Sequence, residues 1–362
     1  AAGEAAQHAG ADDGFGQTIQ TISVTISNAA LIRLDFTERN LRLDVGEGRL
    51  IKLVGDFEDQ TGVELPASYV SLMSTEGAIG SIVSGGRINA TAKGSGIIVA
   101  ERGGLRAATA FTVGMPTDTV DAYIYGVGID VYPGAVSLAE NIGKRQILVD
   151  LYKQLDLTPS TTGTRYIVSN DQVISVSADG LISARQAGTA TVTVINGAGE
   201  FVIPVRVEKP FVGPTVLGSL GGIVQGADGS IVAVAPGALD ANTTVSIAAL
   251  GVADLPAGMP DGMAMAGAFR LELGDRKLDT PIQLAIPTTG LAAGTKVVFM
   301  RYTEVPTPEG TLMPVWLQEE TGIVGEDGYA RAMSPPYPGV TTSGVYTCGI
   351  APDASFSTVR GR

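Results

Sequence analysis

The chain has 362 residues, a formal net charge of −13, 44% hydrophobic residues, 48 Gly, 19 Pro and one Cys, Cys348. That acidic balance argues against a nucleic-acid partner, because a phosphate backbone is bound by clustered Lys and Arg. A single Cys excludes an intrachain disulfide, and no run of about 18 apolar residues is present to insert in a membrane.

Residues 1–16 are mostly Ala, Gly, Asp and Gln, with Phe15 as the one large apolar side chain. This composition buries too little to offset its own ordering entropy. The segment reads as an N-terminal tail, held by a neighbouring molecule or lying on its own domain. Thr18-Ile-Gln-Thr-Ile-Ser-Val-Thr-Ile26 then alternates with the period of a strand. Phe15, Ile19, Ile22, Val24 and Ile26 are the candidate assembly contact, since an extended segment can satisfy its backbone on another subunit's open sheet edge. The competing reading makes Ile22, Val24 and Ile26 the first strand of their own sandwich.

Strand-and-turn units follow from Leu41 to Val113, and Met115-Pro-Thr-Asp118 reads as a linker because Pro stops pairing. A second series runs from Thr119 to Glu208, closed by a second linker at Glu208-Lys-Pro-Phe-Val-Gly-Pro214. The two series are copies. Ile88 matches Ile182, Ala90 matches Ala184, Gly94 matches Gly188 and Val113 matches Val207, each 94 positions apart. Nearer the start of each copy, Leu41, Leu43 and Gly48 are echoed by Val136, Leu138 and Gly143, 95 positions on. The expected domains are therefore 17–114, 119–208 and 215–351, with a C-terminal tail at 352–362.

Both copies resemble the group 2 bacterial immunoglobulin-like domain. Val173-Ile-Ser-Val176, Asp179-Gly-Leu-Ile-Ser-Ala184, Gly188-Thr-Ala-Thr-Val192 and Val205-Arg-Val207 carry the likeness. The first copy departs from it, with Ser84-Gly-Gly in place of Asp-Gly and Gly94-Ser-Gly in place of Gly-Thr-Ala. The resemblance implies a β-sandwich of roughly seven strands, and members of this family mostly serve as spacers and adhesive modules on bacterial and phage surfaces.

In the last domain, Gly218-Ser-Leu-Gly-Gly222, an Asp228-Gly turn, Pro236-Gly-Ala-Leu239 and Thr243-Thr-Val-Ser-Ile247 follow one another. This order resembles the ZU-type β-domain of ankyrins and netrin receptors, also common in large bacterial exported proteins. Later strands are expected at Ala268–Leu273, Ile282–Ile286, Lys296–Met300, Pro314–Leu317 and Gly344–Thr347. Some eukaryotic members cleave themselves at His-Phe-Ser; the matching stretch here, Thr342-Ser-Gly-Val-Tyr-Thr347, has no His, so the resemblance does not extend to self-cleavage.

The chemistry-bearing residues point away from catalysis. The one His is His8, in the tail, so no Ser-His or Cys-His pair can form within a core. Cys348 falls on an expected strand, where a buried inert thiol is the usual outcome. Asp56, Glu58 and Asp59 share one turn, and Asp118, Asp121 and Asp130 flank the first junction. Calcium is bound by such oxygens, but no Asp-x-Asp-x-Asp-Gly loop is present, and solvated acidic turns are the simpler reading. No cofactor, metal or catalytic residue is assigned. The expected fold is all-β, a linear array of two Ig-like β-sandwiches and a C-terminal ZU-type β-domain. The expected role is a non-enzymatic structural protein of the bacterial cell surface, polymerising with itself as a filament, stalk or surface layer. The alternative is an adhesion module binding a glycan or a host or partner protein. The chain reads as a processed form or a piece of a longer product.

Overall fold

In the computed structural model, residues 28–114, 128–334 and 339–350 are described in full, and 4–11 and 18–25 as backbone. The chain divides into two compact units, Ala1–Met115 and Pro116–Arg362. The described secondary structure is all-β apart from three short 3-10 turns.

The first unit holds a sandwich built from three sheets. Leu41–Leu43, Leu105–Val113, Gly94–Arg102 and Ser71–Ser74 form one; Gly48–Leu50, Arg87–Ala90 and Gly80–Val83 form the next; Leu31–Phe36, Leu53–Phe57 and Val63–Leu65 form the third. The second unit repeats this order strand for strand. Val136–Ala139, Gly199–Glu208, Gly188–Asn196 and Arg165–Val168 make the four-stranded sheet, and Lys144–Gln146, Leu181–Ala184 and Ile174–Val176 a three-stranded one. Asp130–Tyr132, Leu148–Leu151 and Leu155–Asp156 complete the set. In both, a short strand enters parallel to the last long one, Leu43 opposite Val113 and Leu138 opposite Val207.

The copies share their cores as well as their topology. Ile88 and Ile182 are both fully buried, each on a strand whose residues alternate exposed and buried in the same pattern. Gly94 and Gly188 open equivalent strands with φ of +147° and +154°. A Cβ there would lie 2.6 Å from Ile79 Cδ1 in the first copy and 2.9 Å from Val173 Cγ2 in the second, so only glycine fits.

One echo read from the sequence needs correction. Gly143 is not the counterpart of Gly48. The carbonyl of Gly143 accepts the Ala184 N–H, the place taken in the first copy by the Glu47 carbonyl and the Ala90 N–H. Arg49 lies opposite Ile88 and Arg145 lies opposite Ile182. The corner before this strand therefore carries an additional residue in the second copy. A repeat of residue types cannot reveal such a shift, because corner glycines recur at either position.

The C-terminal domain is one eleven-stranded sheet that runs from Phe211–Val212 at one edge to Thr215–Leu217 at the other. Its core contains Phe269, Phe299, Tyr346 and Cys348. The rings of Phe269 and Tyr346 stack at 5.5 Å, and Phe299 meets Phe269 edge-on at 6.5 Å. The strands expected at Lys296–Met300 and Pro314–Leu317 extend to Lys296–Pro306 and Leu312–Val324. They make one long hairpin, paired from Lys296–Ile323 to Pro306–Leu312. Arg301 and Glu304 do not end the strand, because the hairpin runs past its neighbours and its polar side chains reach water. Main-chain pairing to Gly344–Ile350 stops at Arg301.

The N-terminal segment also differs from expectation. Glu4–Ala11, read as an N-terminal tail, is a strand paired antiparallel with Thr18–Thr25, from Glu4–Thr25 to Ala11–Thr18. Backbone pairing to an adjacent strand supplies what composition alone does not. Among the described residues, this two-stranded sheet pairs with no other strand.

Candidate functional site: the junction within the second unit

The second sandwich and the C-terminal domain meet along the Val136–Ala139 strand and the turn after it. Ala139 and Ile142 pack against Ile223, Ile231, Ala233 and Ala285 of the C-terminal domain. Beside this apolar patch, the Lys144–Gln146 strand delivers Arg145 into the junction. Arg145 is 4% exposed. Its guanidinium donates to the carbonyl oxygens of Ala332 at 3.0 Å and Ser334 at 3.1 Å, and lies 5.4 Å from the centre of the Tyr132 ring. Two carbonyls and an aromatic face suit the flat, weakly hydrated guanidinium better than an ammonium.

Behind Ser334 sits Glu320, 1% exposed. Its carboxylate accepts from Ser334 Oγ at 2.5 Å, the Thr321 N–H at 3.0 Å and the Met333 N–H at 3.3 Å. Burial pushes Glu320 above the ordinary carboxylate range, against the pull of Ser334 and Arg145. Burial likewise disfavours the charge on Arg145, while Tyr132 and Glu320 favour it. A second arginine crosses the junction in the other direction. Arg331 donates to the carbonyl oxygen of Ile142 at 2.9 Å and forks onto Asp327 with two bonds of 2.7 Å. The fork holds the Asp327 carboxyl down at about 2, and Lys144 approaches the same carboxylate at 3.7 Å.

Between these groups lies a cavity of about 30 Å³, lined in part by Ser137, Ile142, Ile231, Ala285 and Arg331. A space of that size has room for a water or two. Ser137 Oγ, Arg145 Nε and Arg331 Nε are buried without a hydrogen-bond partner among the described residues. Chemically, the arrangement fastens: it directs positive side chains onto main-chain carbonyls, and the Ser334 hydroxyl and Glu320 carboxylate that meet beside it are both buried.

The second sandwich also carries a family match. Residues 149–207 match the family model of the bacterial Ig-like domain (group 2). No curated protein matches the chain. Among solved structures, domains 4 and 5 of the S-layer protein SbsC align at 18% identity over 49% of this chain and 99% of that one, with a TM-score of 0.19. The S-layer protein rSbsC(31-844) aligns at 14% identity over 90% of this chain and 44% of that one, with a TM-score of 0.20. Extracellular domains 3–5 of Drosophila OTK align at 11% identity over 80% of this chain and 96% of that one, with a TM-score of 0.18. At such scores the fold rests on the strand pairings, not on the superpositions.

The residues singled out from sequence lie elsewhere than this Ig-like junction. Ile19, Ile22 and Val24 are on the Thr18–Thr25 strand, opposite Gly10, Gln7 and Ala5. Phe15 and Ile26 fall outside the described residues, as do Asp118 and Asp121. Asp56 takes the Gly62 N–H at 2.7 Å and Arg33 at 3.1 Å. Among the described residues, no group of three His, Cys, Asp or Glu is gathered at metal-binding spacing, and no helix is long and apolar enough to cross a membrane. Cys348 is fully buried and its thiol is pushed up to about 12. Sequence reading missed Arg145, Glu320 and Arg331. The one available signal was Lys144-Arg-Gln146, a polar strand where the first copy has Gly48-Arg-Leu50.

Proposed function

We propose that this chain is a non-enzymatic structural component of a bacterial cell surface, a subunit of an extracellular filament, stalk or surface layer that assembles with copies of itself. The junction carries the reading. An Ig-like module fused to a further β-domain by buried arginines and an apolar patch makes a stiff building block within the second unit. The motif order places a ZU-type domain at 215–351, the sort of module found in large exported proteins. The N-terminal residues 1–26 form the contact to the next copy. Deleting residues 1–16, followed by electron microscopy and sedimentation, tests this; a truncated chain that assembles like the parent overturns it. Immunogold labelling of intact cells tests the location, and label found only inside the cell overturns that.

One observation favours adhesion to a glycan as a second reading. Tyr302 and Trp316 meet at 5.7 Å, edge to face, on the long hairpin of the C-terminal domain, and aromatic faces stack on sugar rings. Glycan-array binding that is lost in Trp316→Ala would support this reading over self-assembly.

A further inference from the structure

Among the described residues, the Lys296–Pro306 and Leu312–Val324 hairpin leaves one apolar face partly exposed. Side chains alternate along a strand, and paired residues share a face. Phe299 points into the core and is fully buried. Two residues on, the same side carries Arg301, then Thr303 and Val305, paired with Leu317, Val315 and Met313. The core-facing side thus continues outward beyond the sheet that covers it. Arg301 turns its charge onto Glu319 at 2.8 Å, and what remains is a stripe of Val305, Met313, Val315 and Leu317. Leu317 is 39% exposed and Met313 48%. The opposite face is tied down, since Trp316 Nε1 donates to the Gly258 carbonyl at 2.8 Å.

A second element of the chain has the complementary need. A two-stranded hairpin is marginal in water and gains stability by packing on an apolar face. The Glu4–Ala11 and Thr18–Thr25 pair is such a hairpin, and in its sequence Ile22 and Val24 alternate with Thr and Ser. Charge narrows the choice further. Copies carrying −13 each repel one another, so a contact between them is best made by neutral segments. Residues 18–26 contain no charged side chain, and neither do residues 310–318 apart from the chain's own backbone polarity. The edges are less suitable than the face: Pro314 has no N–H to offer a new strand, and Glu304 is exposed on the partner strand.

We propose that the apolar face formed by Val305, Met313, Val315 and Leu317 is the docking surface for the N-terminal hairpin of a second copy. The contact is sheet on sheet and head to tail, and such contacts propagate instead of closing on themselves. The proposal rests on the reading that residues 1–26 make the assembly contact, and adds where they land.

Two variants test it by sedimentation velocity. One lacks residues 1–26 and keeps the stripe; the other, Met313→Lys with Leu317→Lys, keeps the hairpin and charges the stripe at exposed positions. The parent should associate, and each variant alone should associate at least about tenfold more weakly, since charges in the centre of an apolar contact are poorly tolerated. Mixed, the two variants should form a one-to-one complex that grows no further. If the charged variant assembles like the parent while the deletion does not, the N-terminal reading survives and this docking site is wrong. If the deletion assembles like the parent, both are wrong. A parent that stays monomeric at high micromolar concentration, its hairpin seated on its own chain or on nothing, also overturns the proposal. Thermal melts check folding, and Met313→Lys alone replaces the double variant if that one unfolds.

Discussion

Arg49 and Arg145 occupy the same place in two copies of one fold, each opposite the central buried isoleucine of its sandwich. Arg49 faces water, bridging Glu47 at 2.7 Å and Glu38 at 3.2 Å. Arg145 is buried and holds two carbonyl oxygens of another domain. The surroundings differ in the same sense. The residue after Leu43 is Asp44, exposed, and the residue after Leu138 is Ala139, buried in the junction. One side chain type thus serves as a solvated charge in one copy and as a fastener in the other. What changed is what lies on the far side.

The largest expected effect is on Arg145. Arg145→Ala strands two carbonyls and leaves Glu320 without its counter-charge, a loss of about 3 kcal/mol. Arg49→Ala, between exposed partners, should change stability by less than about 0.5 kcal/mol. Arg145→Lys should fall between, because one ammonium does not reproduce a planar fork. Chemical denaturation of the three variants checks the order, and equal losses at positions 49 and 145 would dissolve the comparison.

The next effect should be equal in the two copies. Gly94→Ala and Gly188→Ala each place a methyl group against a core side chain at a φ that other residues rarely adopt, with an expected cost of about 2 kcal/mol each. Matching losses confirm that the shared core is equivalent where the surfaces are not.

Acid should then separate the two carboxylates of the junction. Asp327 is held at about 2 against an ordinary 3.8. Its contribution is present above the ordinary value and is lost as pH falls from about 4 toward 2, by about 1 kcal/mol once partial exposure is discounted. Glu320 runs the other way. Its folded value is raised by burial, so its contribution is complete below the ordinary carboxylate range and is lost as pH rises through the raised value. Asp327→Asn should flatten the acid limb of a stability profile, and Glu320→Gln should remove the opposite slope.

The smallest effect concerns Cys348, where a thiol reagent should give no labelling until the C-terminal domain unfolds, because the group is buried and its thiolate strongly disfavoured. Labelling at the rate of a free thiol would mean that this core opens readily.

The sandwiches were legible in the sequence because their signals are local. Alternation, a tight turn at Gly180 and Gly86, and the glycines Gly94 and Gly188 each act within a few residues, and these positions recur 94 apart although the turn reads Asp-Gly in one copy and Gly-Gly in the other. The equivalent burial of Ile88 and Ile182 follows from those signals. The junction was not legible. Arg145 and Ser334, or Arg331 and Ile142, are 189 positions apart, and no local pattern marks a carbonyl as the acceptor of a distant guanidinium. The same holds for the long hairpin, whose charged residues read as a strand end until the fold shows them projecting into water. Sequence by itself determined the alternating strands of the two sandwiches and their matched buried positions, because strand alternation and turn geometry are set by near neighbours. Only the tertiary structure decided which of two equivalent arginines is buried, because the cost of desolvating a charge depends on what the fold brings to meet it.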